Sequence, residues 1–389
     1  MYIEKLILIN FRNYREAYLD PNPELNLIIG ANAQGKSNLL EALFLFTTGK
    51  SFRVMREIEL IKWGEDFARV IVEIVQKSQK KVKIEIIFQI AKNIKNSLKI
   101  IKLNNKVVRC ATNLVGAVNA VMFSPDDMEI IKGGPGIRRR FIDMQITQMS
   151  PSYCDNLRRY HKVLEQRNSL LRSSQSYEEK IPLLDIWDQQ LSHYGTLLIS
   201  KRLEVIRKLE ELAKPVLMNI TGSKECLRLS YSSTVSMERK MDEIVFNEGK
   251  EIFESSLKKR FKEHLDFIRK REIKYGATSI GPHRDDMNIF LNERPVKNFG
   301  SQGQQRTVSI SLKLAERELI YNETGEEPLL LLDDVTSELD KNRSSQLLNY
   351  IRGKGQIFIT QNHPDELFNS IKTSSFYINE GVIKTGVFN

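Results

Sequence analysis

Gly30-Ala31-Asn32-Ala33-Gln34-Gly35-Lys36-Ser37 is the stretch that decides the fold, because it fits G-x-x-x-x-G-K-S and has the right neighbours. An apolar run, Leu25-Asn26-Leu27-Ile28-Ile29, ends at Gly30, and Leu39, Leu40, Ala42, Leu43 and Phe46 follow at helical spacing. Strand, loop and helix in that order are the context a phosphate-binding loop requires. Two glycines let backbone N–H groups curl around an anion, and the helix that begins near Lys36 adds its positive end. Lys36 is placed to reach the β- and γ-phosphates and Ser37 to hold Mg²⁺. The pattern predicts a nucleoside triphosphate site made of Gly30, Ala31, Asn32, Ala33, Gln34, Gly35, Lys36 and Ser37.

A phosphate loop of this kind needs a carboxylate at the end of a neighbouring buried strand. Pro328-Leu329-Leu330-Leu331-Leu332-Asp333-Asp334 supplies it. Four leucines without alternation suit a central strand covered on both faces. Asp333 takes the Mg²⁺ position, and Asp334 is the candidate to orient or deprotonate an attacking water. Nearly three hundred residues separate this strand from the loop. The expected architecture is therefore one nucleotide-binding head built from both chain ends, with a helical insertion between them.

The middle of the chain supports that division. Tyr153, Leu157, Tyr160, Leu164 and Leu171 form one apolar stripe, interrupted by Arg167. After Ser173-Ser174-Gln175-Ser176 and Pro182 a second stripe runs from Leu184 through Trp187, Leu191, Tyr194, Leu198, Val205, Leu209 and Leu212 to Val216. These predict an antiparallel pair of helices, the second about 50 Å long. A third helical stretch is expected over about 236–273. The first segment reads as β-rich, with a hairpin turn at Asn104-Asn105. The boundaries that follow are 1–115 for the N-terminal part of the head, 116–275 for the inserted helical arm and 276–389 for the C-terminal part of the head. The fold class is α/β.

Composition narrows the setting. Cys110, Cys154 and Cys226 lie far apart, which argues against a disulfide framework or a zinc cluster. Neither a signal peptide nor a run long enough for a membrane span is visible, so a cytoplasmic protein without membrane attachment is expected. The net charge of +10 is unevenly placed. Residues 77–109 net +9, residues 138–172 net +5 and residues 257–274 net +5, leaving the remainder at −9. Basic stretches on an acidic background read as a footprint for a polyanion. Candidate nucleic-acid contacts are Arg138, Arg139, Arg140, Lys81 and Lys83. Solvated lysines guarding sheet edges are the competing reading of the same residues.

Upstream of the carboxylate strand, Gly300-Ser301-Gln302-Gly303-Gln304-Gln305-Arg306 opens an apolar-periodic helix. Read plainly, Ser301 is a good helix cap. The string also resembles the signature loop of ABC-type ATPases, with Gln302 in place of a glycine, and Ser337-Glu338-Leu339-Asp340 resembles the turn that follows their carboxylate strand. Further strings point to one family within that class. Asn10-Phe11-Arg12-Asn13-Tyr14, Pro125-Asp126 through Phe141-Ile142-Asp143, Gly281-Pro282-His283-Arg284-Asp285-Asp286 and Leu332-Asp333-Asp334-Val335-Thr336-Ser337-Glu338-Leu339-Asp340 resemble the RecF family, relatives of the heads of structural-maintenance-of-chromosomes proteins. The resemblance covers nearly the whole chain.

That resemblance implies ATP and Mg²⁺ as ligands and slow hydrolysis as a release switch. It implies an ATP-dependent homodimer in which Ser301, Gly303 and Gln304 serve the nucleotide of the second subunit, with Ser337 and Asp340 as residues of the turn that follows the carboxylate strand. It implies DNA as partner, at single-strand gaps, double-strand junctions or stalled forks, and cooperation with RecR and RecO in loading RecA. Arg53, by analogy with related heads, becomes a candidate phosphate contact; a surface arginine after a helix is the alternative. Two departures stand out. Val121-Met122-Phe123-Ser124-Pro125-Asp126 lacks the glutamine such heads carry there, and Thr360 is followed by Gln361, with His363 displaced by two. An ABC transporter subunit, another head of the same class, a P-loop kinase and a non-hydrolysing scaffold are the rival readings.

Overall fold

The computed structural model describes residues 1–54, 56–90, 97–108, 111–222, 225–235, 249–335, 341–363 and 373–386. Its chain divides into two compact units, one of Met1–Asp127, Asn219–Gly222 and Ser309–Asn389, the other of Met128–Met218 and Ser223–Val308.

The first unit holds two six-stranded sheets. One has the order Val382–Gly386, Thr373–Asn379, Leu25–Ile29, Ile357–Gln361, Leu329–Leu332, Ala120–Phe123. All its neighbours run parallel except the C-terminal hairpin. Leu329 to Leu332 have no exposed surface, and every residue of the strands at 25–29, 120–123 and 357–361 is buried. Such uniform apolar runs suit strands covered on both faces. The helix Lys36–Thr48 turns Leu39, Leu40, Leu43 and Phe46 into the same core.

The other sheet is antiparallel, in the order Tyr14–Leu19, Tyr2–Phe11, Phe67–Val75, Lys81–Ile90, Ser97–Leu103, Lys106–Val108. Val82, Ile84, Ile86 and Phe88 face inward, and Lys81 and Lys83 are on the wetter face. Asn104 and Asn105 join the last two strands with φ of 49° and 65°. That left-handed pair is the turn whose twist matches a two-residue hairpin, and asparagine tolerates it.

The second unit carries the helices Pro135–Met149, Pro151–Arg172, Tyr177–Thr221 and Lys250–Tyr275. The 45-residue member is about 67 Å long, longer than the stripe suggested, because it begins at Tyr177 and takes Pro182 into its early turns. Gly195 on this helix is a packing requirement, since a Cβ there would lie 2.5 Å from the Phe261 ring. The expected third helix starts at Lys250; residues 236–248 of that expectation lie outside the described ones.

A three-stranded antiparallel sheet, Arg294–Pro295, Asp286–Leu291, Leu227–Ser232, belongs to the same unit and was not anticipated from sequence. It changes the division of the chain. Asp286–Leu291 pairs with Leu227–Ser232, so residues 276–308 pack with the helices rather than with the C-terminal part of the head. Ala120–Phe123 pairs with Leu329–Leu332, which carries residues 116–127 into the first unit. Among the described residues no helix is long and apolar enough to cross a membrane.

Arg167, the residue that interrupts the first stripe, is wholly buried. Its guanidinium donates to Asp188 at 2.6 Å, Glu272 at 2.7 Å and Thr278 at 2.8 Å. Arg269 donates to the second oxygen of Asp188 and to Asp185, both at 2.7 Å. The carboxylates of Asp185, Asp188 and Asp266 converge, and Arg269 bonds all three, so the cation of this cluster is an arginine.

Removing one member of a buried ion network strands the rest. Arg167→Ala is expected to lower the unfolding free energy by about 3–5 kcal/mol in urea titration; a loss near zero means that the cluster is hydrated. A second prediction concerns Asp127 in the first unit, which accepts from the Ser124 amide at 2.8 Å. Burial, opposed by Lys313, pushes its carboxyl up to about 6. The folded protein then holds this proton more tightly than the unfolded chain. The group therefore adds stability as pH falls from 7 towards 4 and none above about 7. Asp127→Asn, neutral throughout, should lose about 3 kcal/mol of stability relative to wild type between pH 8 and pH 4. A difference that does not vary with pH contradicts the burial.

Candidate nucleotide-binding site

The strand Leu25–Ile29 delivers the loop at the carboxyl end of the parallel sheet, between strands 357–361 and 373–379. The Gly30 amide bonds the Gln361 carbonyl at 3.1 Å, and a Cβ on Gly30 would fall 2.5 Å from the Ile378 oxygen. Gly35 sits at φ 116° as the cap of helix Lys36–Thr48. A side chain there would be both strained and in collision with the Asn13 amide group. Glycine is required twice, for different reasons. A helix capped by glycine also leaves its first amides without a side-chain acceptor, and an anion supplies one.

The loop is propped from below. The Asn13 side chain donates to the Gln34 carbonyl at 2.8 Å, and the Tyr14 hydroxyl to the Gly35 carbonyl at 2.8 Å. The tip of the C-terminal hairpin adds the Glu380 amide on the Gln34 side chain at 2.5 Å and the Gly381 amide on its carbonyl at 3.3 Å. Both chain ends thus hold one loop residue in place.

Lys36 is 7% exposed, and its ammonium donates to the carbonyls of Gly30 at 2.6 Å and Ala31 at 2.9 Å and to Asn362 Oδ1 at 2.9 Å. Burial lowers its pKa, while Asp334 and Asp333 pull it back up. A cation held by neutral oxygens is what a phosphate pocket needs, because its charge is not already cancelled.

Ser37 Oγ donates to Asp333 Oδ1 at 2.9 Å, and Thr360 Oγ1 donates to the same oxygen at 2.8 Å. The Asp333 amide is anchored on the Phe123 carbonyl at 2.8 Å. The Asp334 amide bonds Thr360 Oγ1 at 2.8 Å, and its φ of 51° places a non-glycine residue in the left-handed region. A hydroxyl and a carboxylate in contact form a hard oxygen donor set that fits Mg²⁺.

Arginines flank the first turn of the loop helix. Glu41, fully buried, takes Arg12 on both oxygens at 2.9 and 2.8 Å. It also accepts from Ser51 Oγ, which in turn receives the amides of Arg53 at 2.9 Å and Val54 at 3.1 Å. Arg53 donates to Asn38 Oδ1 at 2.9 Å and lies 3.7 Å from Glu41. Its guanidinium is therefore beside the residue that follows Ser37, not on a remote surface.

Sequence reasoning passed over Asn13, Glu41, Thr360 and Asn362 as site residues. Glu41 had a visible signal, a lone charge within Leu39-Leu40-Glu41-Ala42-Leu43. Thr360 and Asn362 had none, since their roles depend on strand register.

In the second unit, Ser301 Oγ accepts from the Gln304 amide at 3.2 Å, and Gln304 Oε1 accepts from the Ser301 amide at 2.8 Å. This reciprocal capping box opens the helix Gln302–Thr324. Ser301 and Gln302 are exposed, Gly303 and Gln304 half-buried. Ser337 and Asp340 lie outside the described residues.

The candidate polyanion contacts need correction at Arg138. It is 8% exposed and is consumed by a bidentate bond to Asp286, 2.8 Å on each arm, and by the Gly133 carbonyl at 2.9 Å. Arg139 donates to the Asp285 carbonyl at 2.8 Å, and burial lowers its pKa. Arg140 is exposed. Lys81 pairs with Glu4 at 2.7 Å, and Lys83 pairs across the sheet with Glu73 at 3.2 Å.

The RecF/RecN/SMC N terminal domain matches residues 2–384. DNA replication and repair protein RecF of Bacillus cytotoxicus is 40% identical over 385 residues, 98% of each chain. The protein of that description from Bacillus thuringiensis strain Al Hakam is 42% identical over 366 residues, 94% of this chain and 93% of its own. The chain belongs to the RecF family. A solved structure described as the recombination mediator protein RecF-ATP in the RecFOR pathway superposes with a TM-score of 0.88 at 34% identity, covering 99% of this chain and 98% of that one. An SMC head bound to the C-winged helix domain of ScpA, 15% identical with a TM-score of 0.56, covers all of this chain and 98% of its own and shares the fold. The α/β architecture is thus an ABC-type P-loop ATPase head with a helical insertion, as for the RecF family.

The Glu41 hub yields a stability prediction. Glu41→Gln keeps the shape and removes the charge beneath Arg12, so it should cost about 2–3 kcal/mol in urea titration. Arg53→Ala, half in solvent, should cost under about 1 kcal/mol. Equal effects of the two substitutions contradict a buried hub.

Proposed function

We propose that this RecF-family chain is a weak ATPase of the cytoplasm that ATP assembles into a homodimer on DNA. The observation that carries this is the convergence of Lys36, Ser37, Asp333 and Asp334 at one end of the parallel sheet, with Ser37 and Asp333 2.9 Å apart. Residues 30–37 wrap the phosphates, and Lys36 swings from its three neutral acceptors to the β- and γ-phosphates. Ser37 and Asp333, in contact at 2.9 Å, are the residues that would hold Mg²⁺. When bound, Mg²⁺ neutralises charge that develops on the phosphate oxygens during transfer to water. Asp334, fixed by Thr360, orients the attacking water and takes its proton. Arg53, beside Asn38, is the candidate for a further phosphate contact.

Ser301, Gly303 and Gln304 open a capped helix start with Ser301 exposed, suited to a phosphate presented by a second copy, and Ser337 and Asp340, more than thirty residues later in the chain, act with it. ATP then acts as a removable clamp, and slow hydrolysis releases it. Relatives named as DNA replication and repair proteins, and a solved relative named as a recombination mediator of the RecFOR pathway, support action at single-strand gaps or stalled forks. The RecFOR name supports partnership with RecR and RecO, and the loading of RecA is what the family resemblance implies.

The test measures mass and DNA binding with and without ATP for wild type, Lys36→Arg and Asp334→Asn. Wild type should double in mass with ATP and DNA, and Lys36→Arg should remain monomeric. Asp334→Asn should dimerise yet turn ATP over at least about a hundredfold more slowly. A wild type that stays monomeric with both ligands ends the clamp reading. Unimpaired turnover in Asp334→Asn removes that residue from the base role.

A further inference from the structure

We infer that the proposed DNA ligand is gripped through its phosphate backbone by a groove in the second unit, between helices Tyr177–Thr221 and Lys250–Tyr275. This rests on the DNA-binding reading above and names its surface. The groove has a volume of about 540 Å³, and Gln189, Ser192, Ser255, Lys258, Lys259 and Lys262 line it.

The three basic stretches of the chain differ in what the fold does with them. In the first, Lys81, Lys83, Lys99 and Lys102 are paired with Glu4, Glu73, Glu57 and Glu85. In the second, Arg138, Arg158, Arg159 and Arg167 are spent on Asp286, Asp155 and the Asp188–Glu272 cluster. In the third, Lys258, Lys259 and Lys262 have no carboxylate within 4 Å among the described residues, which holds also for Lys80, Lys106 and Lys162 of the other two, and what sets these three apart is that they converge on one groove. Uncancelled charge is the kind that attracts a polyanion.

Spacing agrees. Lys258 and Lys262 are one helical turn apart, about 6 Å along the axis, close to the rise of about 3.4 Å per phosphate taken twice along one DNA strand. Gln189 and Ser255, both exposed, add neutral hydrogen-bond donors to the same wall.

The lining also argues for nucleic acid over an acidic protein. It contains no apolar or aromatic side chain, the groups that anchor protein partners. Without an aromatic platform there is no base stacking, so contact is to phosphate and indifferent to sequence. Glu263 and Asp266 complete the lining, and Asp266 is paired with Arg269.

The experiment titrates the full-length chain against fluorescent single-stranded and duplex DNA across a salt series, with a fluorescent ATP analogue as a parallel readout. The variants are Lys258→Ala/Lys259→Ala/Lys262→Ala, the single exposed Lys259→Gln, and Lys81→Ala/Lys83→Ala as control. The triple variant should bind DNA about tenfold or more weakly at moderate salt, with the log–log salt slope shallower by about 2–3. Lys259→Gln should show a smaller loss in the same direction. The control and all ATP-analogue affinities should match wild type. Wild-type DNA affinity and slope in the triple variant overturn the groove alone. Failure of wild type to bind DNA at low salt, with ATP-analogue binding intact, overturns the DNA reading and the groove with it. A triple variant that loses only the ability to bind polyglutamate reassigns the groove to an acidic protein and overturns the proposal.

Discussion

The site depends on strand register. Ile357–Gln361 lies between Leu25–Ile29 and Leu329–Leu332, and each pair is parallel and in register. That arrangement brings the ends of three strands from opposite ends of the chain level with one another. Thr360 stands in the middle of the seam, and its single hydroxyl serves Asp333 as donor and Asp334 as acceptor. Slipping either pairing by one residue would turn the whole strand over and point these groups at the wrong face. The apolar packing of Leu329–Leu332 and the strands beside it resists such a slip. Core burial and site geometry are therefore one constraint.

How much of this was readable follows the range of the forces. Residues 25–48 were legible because strand, loop and helix are local and the glycine requirement is steric. The carboxylate strand was legible because four successive leucines have few other uses. The sheet Leu227–Ser232 with Asp286–Leu291 was hidden, since its strands are over fifty residues apart and Leu227-Arg228-Leu229-Ser230 carries only a short alternation. The start of the long helix differs from expectation because Pro182 reads as a breaker, yet in the second turn it removes a single i→i−4 bond from a helix of 45 residues. Arg167 looked like a flaw in an apolar stripe and is the centre of a buried network.

Charge was the least legible property. A count of Lys and Arg cannot distinguish a cation facing solvent from one answered across a sheet. Residues 77–109 look like the strongest polyanion footprint by composition, yet Glu4, Glu57, Glu73 and Glu85 answer four of their lysines. Three of these glutamates lie outside the basic stretch, where a window count does not see them. Arg138 shows the same limit at a single position, being the most buried member of Arg138-Arg139-Arg140 and tied to a carboxylate 148 residues away. Pairing, more than density, separates structural cations from those left for a ligand.

The backbone at Asp334 carries a different kind of information. Two adjacent carboxylates at the end of a strand would ordinarily point to opposite faces. A left-handed residue breaks that alternation, at a cost of order 1–3 kcal/mol for a non-glycine side chain. Aspartate is among the residues that tolerate it best. The strain persists here because the amides of both aspartates are tied down, Asp333 to Phe123 and Asp334 to Thr360. A turn needing only to reverse the chain would be better served by glycine. A strained carboxylate held through its own amide and that of Asp333, within electrostatic reach of Lys36, is what the role proposed for Asp334 requires.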